Sequence, residues 1–431
     1  MRHNIIYIIA LLLIGPMVMG QQINKASAGT FLLKGGTLHT VTNGNIEADL
    51  LIKDGKISDI GTNLSASGAT VIDITGKHVY PGMIDGGTTL GLSEVSSVSL
   101  TNDFNEIGDV IPQMQALTAV NPNAVAIPVT RTNGVTSVIV QPAGGLMPGT
   151  SSLINLIGYT PEQMHTGFSA VRMNFPASGR RGRWDRRSEE DIKKEAEKAL
   201  KNLNDVWEKA LLYAKIDSAG MASKQSRNDY NPQMEALLPV VRGEMHFMIE
   251  VNSKSDIEAA IKWVQENGVK AIFTGVSEGW RVADQLAESG IPVVTGPMLS
   301  IPGRASDRYD VSYANAGKMQ KAGVKVAIRT NDSENVRNLP FNAGFAAAYG
   351  MGIEEALKAV TIIPAEIFGV GDQLGSLEKG KIANLFVSDG DPFETKTSVE
   401  RLFINGWSVP VENRHTYLYD EFLNRAPGLK E

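Results

Sequence analysis

Apolar and polar positions divide the chain into three stretches. From 31 to 80, alternating runs are separated by glycine turns. Phe31-Leu32-Leu33-Lys34-Gly35-Gly36 opens one run. Ala48-Asp49-Leu50-Leu51-Ile52-Lys53-Asp54-Gly55-Lys56-Ile57 holds two strands around an Asp-Gly turn. Alternation sends successive side chains to opposite faces of a strand, and Asp-Gly supplies the positive φ of a tight hairpin. The far end behaves alike: Ala383-Asn384-Leu385-Phe386-Val387 and Arg401-Leu402-Phe403-Ile404-Asn405-Gly406 read as strands. Between these ends, apolar Val- and Ile-rich runs at 135–141, 245–251, 269–274, 291–295 and 324–329 alternate with helical patterns at 256–266, 280–289 and 312–321. That rhythm predicts βα units and a parallel sheet. Eight units would close a barrel of about this length. Six can be marked; an insertion at about 164–239 hides the third and fourth.

The insertion opens with Arg180, Arg181, Arg183, Arg186 and Arg187. Ser188-Glu189-Glu190-Asp191 then resembles a capping box. A long charged helix follows, with Leu200, Leu203, Val206, Trp207, Ala210 and Leu211 spaced for one apolar face. A solvated basic loop before a structural helix is the simpler reading; a lid or a site for an anionic partner is the other.

The first twenty residues read as a secretory signal. Arg2 gives a positive start, 5–14 is apolar but short for a bilayer, and Val18-Met19-Gly20 suits cleavage before Gln21. The expectation is an exported protein, periplasmic if the source is a Gram-negative bacterium, with no membrane partner after processing. The 431 residues carry a formal charge of -6, which gives no reason to expect nucleic acid. There are no cysteines, so disulfides, thiolate zinc sites and cysteine nucleophiles are excluded.

The stretch Tyr80-Pro81-Gly82-Met83-Ile84-Asp85-Gly86-Gly87-Thr88-Thr89 resembles the first barrel strand of the amidohydrolase superfamily, the imidazolonepropionase-like branch in particular. In that family a Pro-Gly turn leads into a strand ending in Asp-x-His-x-His. Ile363-Pro364-Ala365-Glu366-Ile367-Phe368-Gly369-Val370 is similar to the family's last barrel helix. Leu374-Gly375-Ser376-Leu377-Glu378-Lys379-Gly380-Lys381-Ile382-Ala383-Asn384-Leu385 is similar to its return to the β-sandwich. The resemblance covers nearly the whole chain after the leader. It implies an α/β fold: a (β/α)₈ barrel over 82–365, flanked by a β-sandwich built from 21–81 and 366–431.

It also implies a metal-dependent hydrolase of non-peptide C–N bonds, cyclic amides in type. The family's metal ligands are two histidines after strand one, histidines ending strands five and six, and an aspartate ending strand eight that serves as general base. Here the first two positions are Gly87 and Thr89, and strand five offers Glu250. Strand six offers Thr274, and strand eight offers Asp332. Glycine has no ligand atom, and threonine is a poor zinc ligand. The six histidines (His3, His39, His78, His165, His246 and His415) show no ligand spacing. Asp332 is therefore the candidate catalytic acid or base, and Glu250, Asn252, Arg329 and Asn331 are candidate substrate contacts. A divalent ion held by Asp85, Glu250 and Asp332 would be the remaining metal option, since clustered carboxylates demand a cation, a proton or separation. Three functions stay open: a divergent hydrolase, a small-molecule-binding relative, and a partner subunit of an active homologous amidohydrolase.

Overall fold

In the computed structural model the described residues are 25–179, 185–223 and 229–425. Residues 1–24, with His3 and the expected signal, and three of the clustered arginines (Arg180, Arg181 and Arg183) lie outside them. One sheet is built from both chain ends. Its strands are β1 (Phe31–His39), β2 (Asn45–Lys53), β3 (Lys56–Gly61), β4 (Thr70–Asp73) and β5 (His78–Pro81) from the start of the chain. From the end come β14 (Leu385–Ser388), β15 (Val399–Ile404) and β16 (Trp407–Val409), in the order β16-β15-β14-β5-β1-β2-β3, with β4 on β1. The sheet folds over on itself. Phe31 and Phe403 lie on strands that are not neighbours, yet their rings are 5.2 Å apart, about one strand spacing. Lys56 and Ile382 also form an isolated antiparallel bridge. The sandwich-like core so formed includes Leu33, Leu50, Ile52, Leu385 and Phe403.

The second sheet is the barrel. Its strands are β6 (Met83–Thr88), β7 (Val135–Val140), β8 (Gly149–Asn155), β9 (His165–Asn174), β10 (His246–Val251), β11 (Ala271–Gly275), β12 (Val293–Thr295) and β13 (Val326–Ile328), each paired with the next. The ends meet at the mouth, where Asn331 N–H donates to the Gly87 carbonyl and Thr89 N–H to the Asp332 carbonyl. A parallel sheet throughout was expected, but β8 runs antiparallel to both β7 and β9. The reason is chain length. Parallel neighbours need a crossover of a dozen or more residues, and the links 141–148 and 156–164 are too short. This reversed strand, with β9 occupying the first residues of the expected insertion, is what hid units three and four.

The α-helices up to Ala346 are α1 (Ala126–Arg131), α2 (Pro161–Met164), α3 (Glu189–Ser223), α4 (Pro232–Val241), α5 (Lys254–Asn267), α6 (Ala283–Ser289), α7 (Val311–Lys321) and α8 (Leu339–Ala346), and three more follow, Ile353–Ala359, Ile362–Ile367 and Arg414–Leu423. Caps fix several of them. Ser253 accepts from Asp256 N–H at the start of α5, and Gly268 closes it in the left-handed conformation, where a Cβ would be strained. Asn231 caps α4 ahead of Pro232. At the head of α3 the Ser188 hydroxyl accepts from Asp191 N–H. The apolar stripe of α3 is narrower than its spacing suggested: Leu203, Val206, Trp207 and Ala210 are buried, whereas Leu200 and Leu211 are exposed. Trp207 meets Phe247 of β10 and Trp263 of α5 edge to face, which pins the helix to the outside of the barrel. Arg187 is paired with Asp185 and Glu195, so this member of the arginine cluster is already neutralised. No helix among the described residues is long and apolar enough to cross a membrane.

Candidate functional site

The barrel interior is layered. Ile84, Ile139, Leu153, Ala170, Met248, Ile272, Val294 and Ala327, one from each strand, form an apolar floor. Residues two apart on a strand share a face. The next inward positions toward the C-terminal mouth are therefore Gly86, Gln141, Arg172, Glu250, Thr274, Gly296 and Arg329, joined by Ser151 from the reversed strand β8.

Glu250 is the hub of this layer. Arg329 grips it with two parallel hydrogen bonds, Nη1 to Oε2 and Nη2 to Oε1, both 2.8 Å. Arg172 Nη2 donates to Oε2 at 3.1 Å, Thr274 Oγ1 to Oε2 at 2.7 Å, and Asn252 Nδ2 to Oε1 at 3.1 Å. Arg172 Nη1 also donates to Gln141 Oε1 at 2.7 Å, and Gln141 Nε2 donates to Asn331 Oδ1 at 3.0 Å. Burial alone would raise the Glu250 carboxyl, but the charges of Arg329 and Arg172 outweigh it and hold the group far below the carboxylate range. Glu250 is thus a fixed anion between two guanidiniums.

Absent side chains make room for the cluster. A Cβ on Gly87 would lie 2.9 Å from Gln141 Oε1 and 3.1 Å from Arg329 Cδ. On Gly275 it would lie 2.5 Å from both Glu250 Oε1 and Asn252 Oδ1. The next residue, Val276, is held at a φ of 50°, an outlier for a β-branched side chain. Its carbonyl accepts from Asn315 Nδ2 and its N–H donates to the Val251 carbonyl, so neighbouring elements hold the strain in place.

The other two carboxylates do not join Glu250. Asp85 is fully buried, and its oxygens accept from Thr330 N–H, Thr330 Oγ1 and Gly87 N–H. Burial pushes its carboxyl up to about 7, against the pull of these donors and of Arg329. Asp332 turns Oδ1 to the N–H groups of Ser333, Glu334 and Asn335, while Oδ2 has only a 3.4 Å contact with Asn335 Nδ2. Burial works to raise Asp332, but those amides prevail and hold it below its ordinary value. Asn252 and Asn331 stand exposed at the rim. Arg329, expected to contact substrate, is 1% exposed and committed to Glu250, which makes it a positioning group.

These observations correct the metal expectation. Asp85, Glu250 and Asp332 each spend their oxygens on separate donors, and among the described residues no three His, Cys, Asp or Glu side chains converge on one point. The three carboxylates therefore do not form one ligand set. The histidines bring one surprise. His39 and His78, far apart in sequence, lie 3.0 Å apart (Nε2 to Nδ1) because β1 pairs with β5. They sit in the chain-end sheet, and burial, with His78 adjacent, lowers His39 to about 4. His246 begins β10, at the end away from the mouth.

Sequence reasoning missed Gln141, Arg172 and Thr330. The signal was there for two of them: Gln141 and Arg172 lie two residues beyond the floor positions Ile139 and Ala170. Arg172 is hidden because β9 falls within the stretch that resembles an insertion.

A sequence model of the amidohydrolase family matches residues 250–409. The chain is 24% identical to amidohydrolase tasK of Hapsidospora irregularis over 395 residues, 83% of this chain and 39% of that protein. It is 34% identical to the imidazolonepropionase of Shouchella clausii over 131 residues, 30% of this chain and 26% of that protein. The chain thus spans well under half the length of these curated relatives. Among solved structures, an amidohydrolase from Thermotoga maritima MSB8 superposes with a TM-score of 0.79 at 28% identity, covering 89% of this chain and all of that one.

Proposed function

From its membership of the amidohydrolase superfamily, we propose that this chain is a divergent form in which a carboxylate–guanidinium cluster has taken the place of the metal centre. Its mouth binds a small molecule without metal-dependent hydrolysis. The observation that carries this reading is the engagement of both Glu250 oxygens by Arg329 and Arg172. A metal ion would have to displace two buried cations to reach that carboxylate, and neither Gly87 nor Thr89 offers a nitrogen ligand. The exposed carboxamides of Asn252 and Asn331 are the groups left to contact a ligand, each already oriented by a hydrogen bond to the cluster.

The test is metal analysis of the native protein purified without chelators or a histidine tag, with hydrolysis of hydantoin and dihydroorotate assayed with and without added Zn²⁺ or Mn²⁺. The expected result is substoichiometric metal and no metal-stimulated turnover. One tightly held ion per chain, or metal-dependent hydrolysis, would sink the proposal.

The hydrolase names of its relatives favour a second reading, hydrolysis of a C–N bond in a small cyclic amide. In this chain it would rest on Asp332 as base, acting through its weakly held Oδ2. Three backbone donors on Oδ1 weaken that base. Turnover independent of metal and lost in Asp332→Asn would establish this reading. The leader-like segment 1–20 supports export, to be checked by fractionation of the source cells.

A further inference from the structure

A cavity of about 530 Å³ lies at the opposite end of the barrel from the mouth, against the chain-end sheet. That volume falls in the range of small-molecule pockets. Its walls include Ile127, Ile157 and Met164, with Tyr159 and Trp407 at the edge. Arg131, the last residue of α1, is the single charged residue among those lining it. This arginine is half-buried and under-used. Nη1 donates to the Leu156 carbonyl at 3.1 Å, while Nε is buried without a hydrogen-bond partner among the described residues. Among the described residues no carboxylate compensates it: burial lowers its affinity for the proton and no charge among them opposes that. Two of the acceptors that line the cavity with it are spent elsewhere. Asn405 Oδ1 accepts from Asn155, and Gln163 Oε1 accepts from Tyr159 N–H.

A partly desolvated guanidinium facing an apolar cavity is costly unless an anion shares it. Its planar fork suits a carboxylate, and the apolar walls with two aromatic rims suit a hydrocarbon or aromatic body. We infer that this cavity is a second binding site, independent of the mouth, for a small amphipathic carboxylate whose head group pairs with Arg131.

The experiment uses the whole protein and four probes: benzoate and 4-phenylbutyrate as carboxylates, benzamide and benzyl alcohol as uncharged counterparts. Binding is read by calorimetry and by thermal shift. The carboxylates should bind and raise Tm, and the uncharged probes should bind at least tenfold more weakly. Arg131→Gln should weaken carboxylate binding by about tenfold or more. Tyr159, 89% exposed, can be changed without harm to the fold, so Tyr159→Ala gives a second reading through a lost wall. Asn331→Ala, at the mouth, should leave carboxylate binding unchanged. Absence of binding at millimolar carboxylate, equal binding of the uncharged probes, or equal binding by Arg131→Gln and the parent would each overturn the inference. Loss through Asn331→Ala instead would move the site to the mouth.

Discussion

At the scale of single residues, the interior is set by which charges have partners. Glu250 is the acid that pairs directly with both Arg329 and Arg172, so removing its charge leaves two buried cations without their ion-pair partner. Glu250→Gln should lower stability by about 3–5 kcal/mol, measurable as a shift in the midpoint of denaturant unfolding. A change below about 1 kcal/mol would mean that solvent, not Glu250, screens the arginines. Asp85 gives a pH signature. Its carboxyl, ordinarily near 3.8, is pushed up to about 7 in the fold. The folded state therefore holds the proton more tightly than the unfolded chain. The stability this contributes is fully present below about pH 4 and is lost as pH rises through 7. Unfolding free energies between pH 4 and 8 should fall with pH, and Asp85→Asn should flatten that slope while lowering the whole curve. An unchanged slope in the variant would remove Asp85 as its source.

At the scale of elements, α3 shows how a mostly polar helix finds its place. Its charged face is solvated, and a short stripe of Leu203, Val206, Trp207 and Ala210 attaches it to β10 and α5. Trp207 carries most of the buried bulk, yet its indole N–H is buried without a partner among the described residues. Truncation and conservative replacement should therefore diverge. Trp207→Ala should cost about 3–5 kcal/mol. Trp207→Phe should cost less than half as much, because it removes an unpaired donor along with the volume. Equal costs in chemical denaturation would show that the indole nitrogen is satisfied in solution. The reversed strand β8 teaches a related lesson. Its residues read as an ordinary apolar strand, and direction is set by the length of the links on either side.

At the scale of the whole molecule, the barrel and the chain-end sheet are built as one. Gly82 N–H, ahead of the first barrel strand, donates to the Asn384 carbonyl. Phe386, Leu402 and Ile404 of the C-terminal strands pack into the main barrel core. Beneath the floor, Ala365, Ile367, Phe368, Val370 and Leu374 cluster with the inward strand residues. Removing 366–431 would strip Ile367, Phe368, Val370 and Leu374 from beneath the floor together with three strands. The truncated chain should lack cooperative unfolding and near-ultraviolet dichroism. A soluble, cooperatively folding fragment would show that the barrel is autonomous.

The sequence by itself determined the class of fold. Period-two alternation and Asp-Gly turns marked the two β-rich ends, and apolar runs alternating with helical patterns marked the barrel, because burial of one face writes its period into the chain. It also showed that Gly87 and Thr89 follow strand one, since residue identity is visible without coordinates. Tertiary structure alone decided which side chains gather at the mouth. Arg172, Gln141 and Glu250 come from three strands separated by long stretches of chain, and only barrel closure sets them on one layer with Arg329. Partners were equally hidden. Three carboxylates that looked like one metal site proved to be an ion-pair hub, a buried group held by Thr330, and a turn cap. Two histidines without ligand spacing proved to be neighbours across β1 and β5. Hydrogen bonds and charge pairing act over a few ångströms in space, and spacing along the chain does not report that distance.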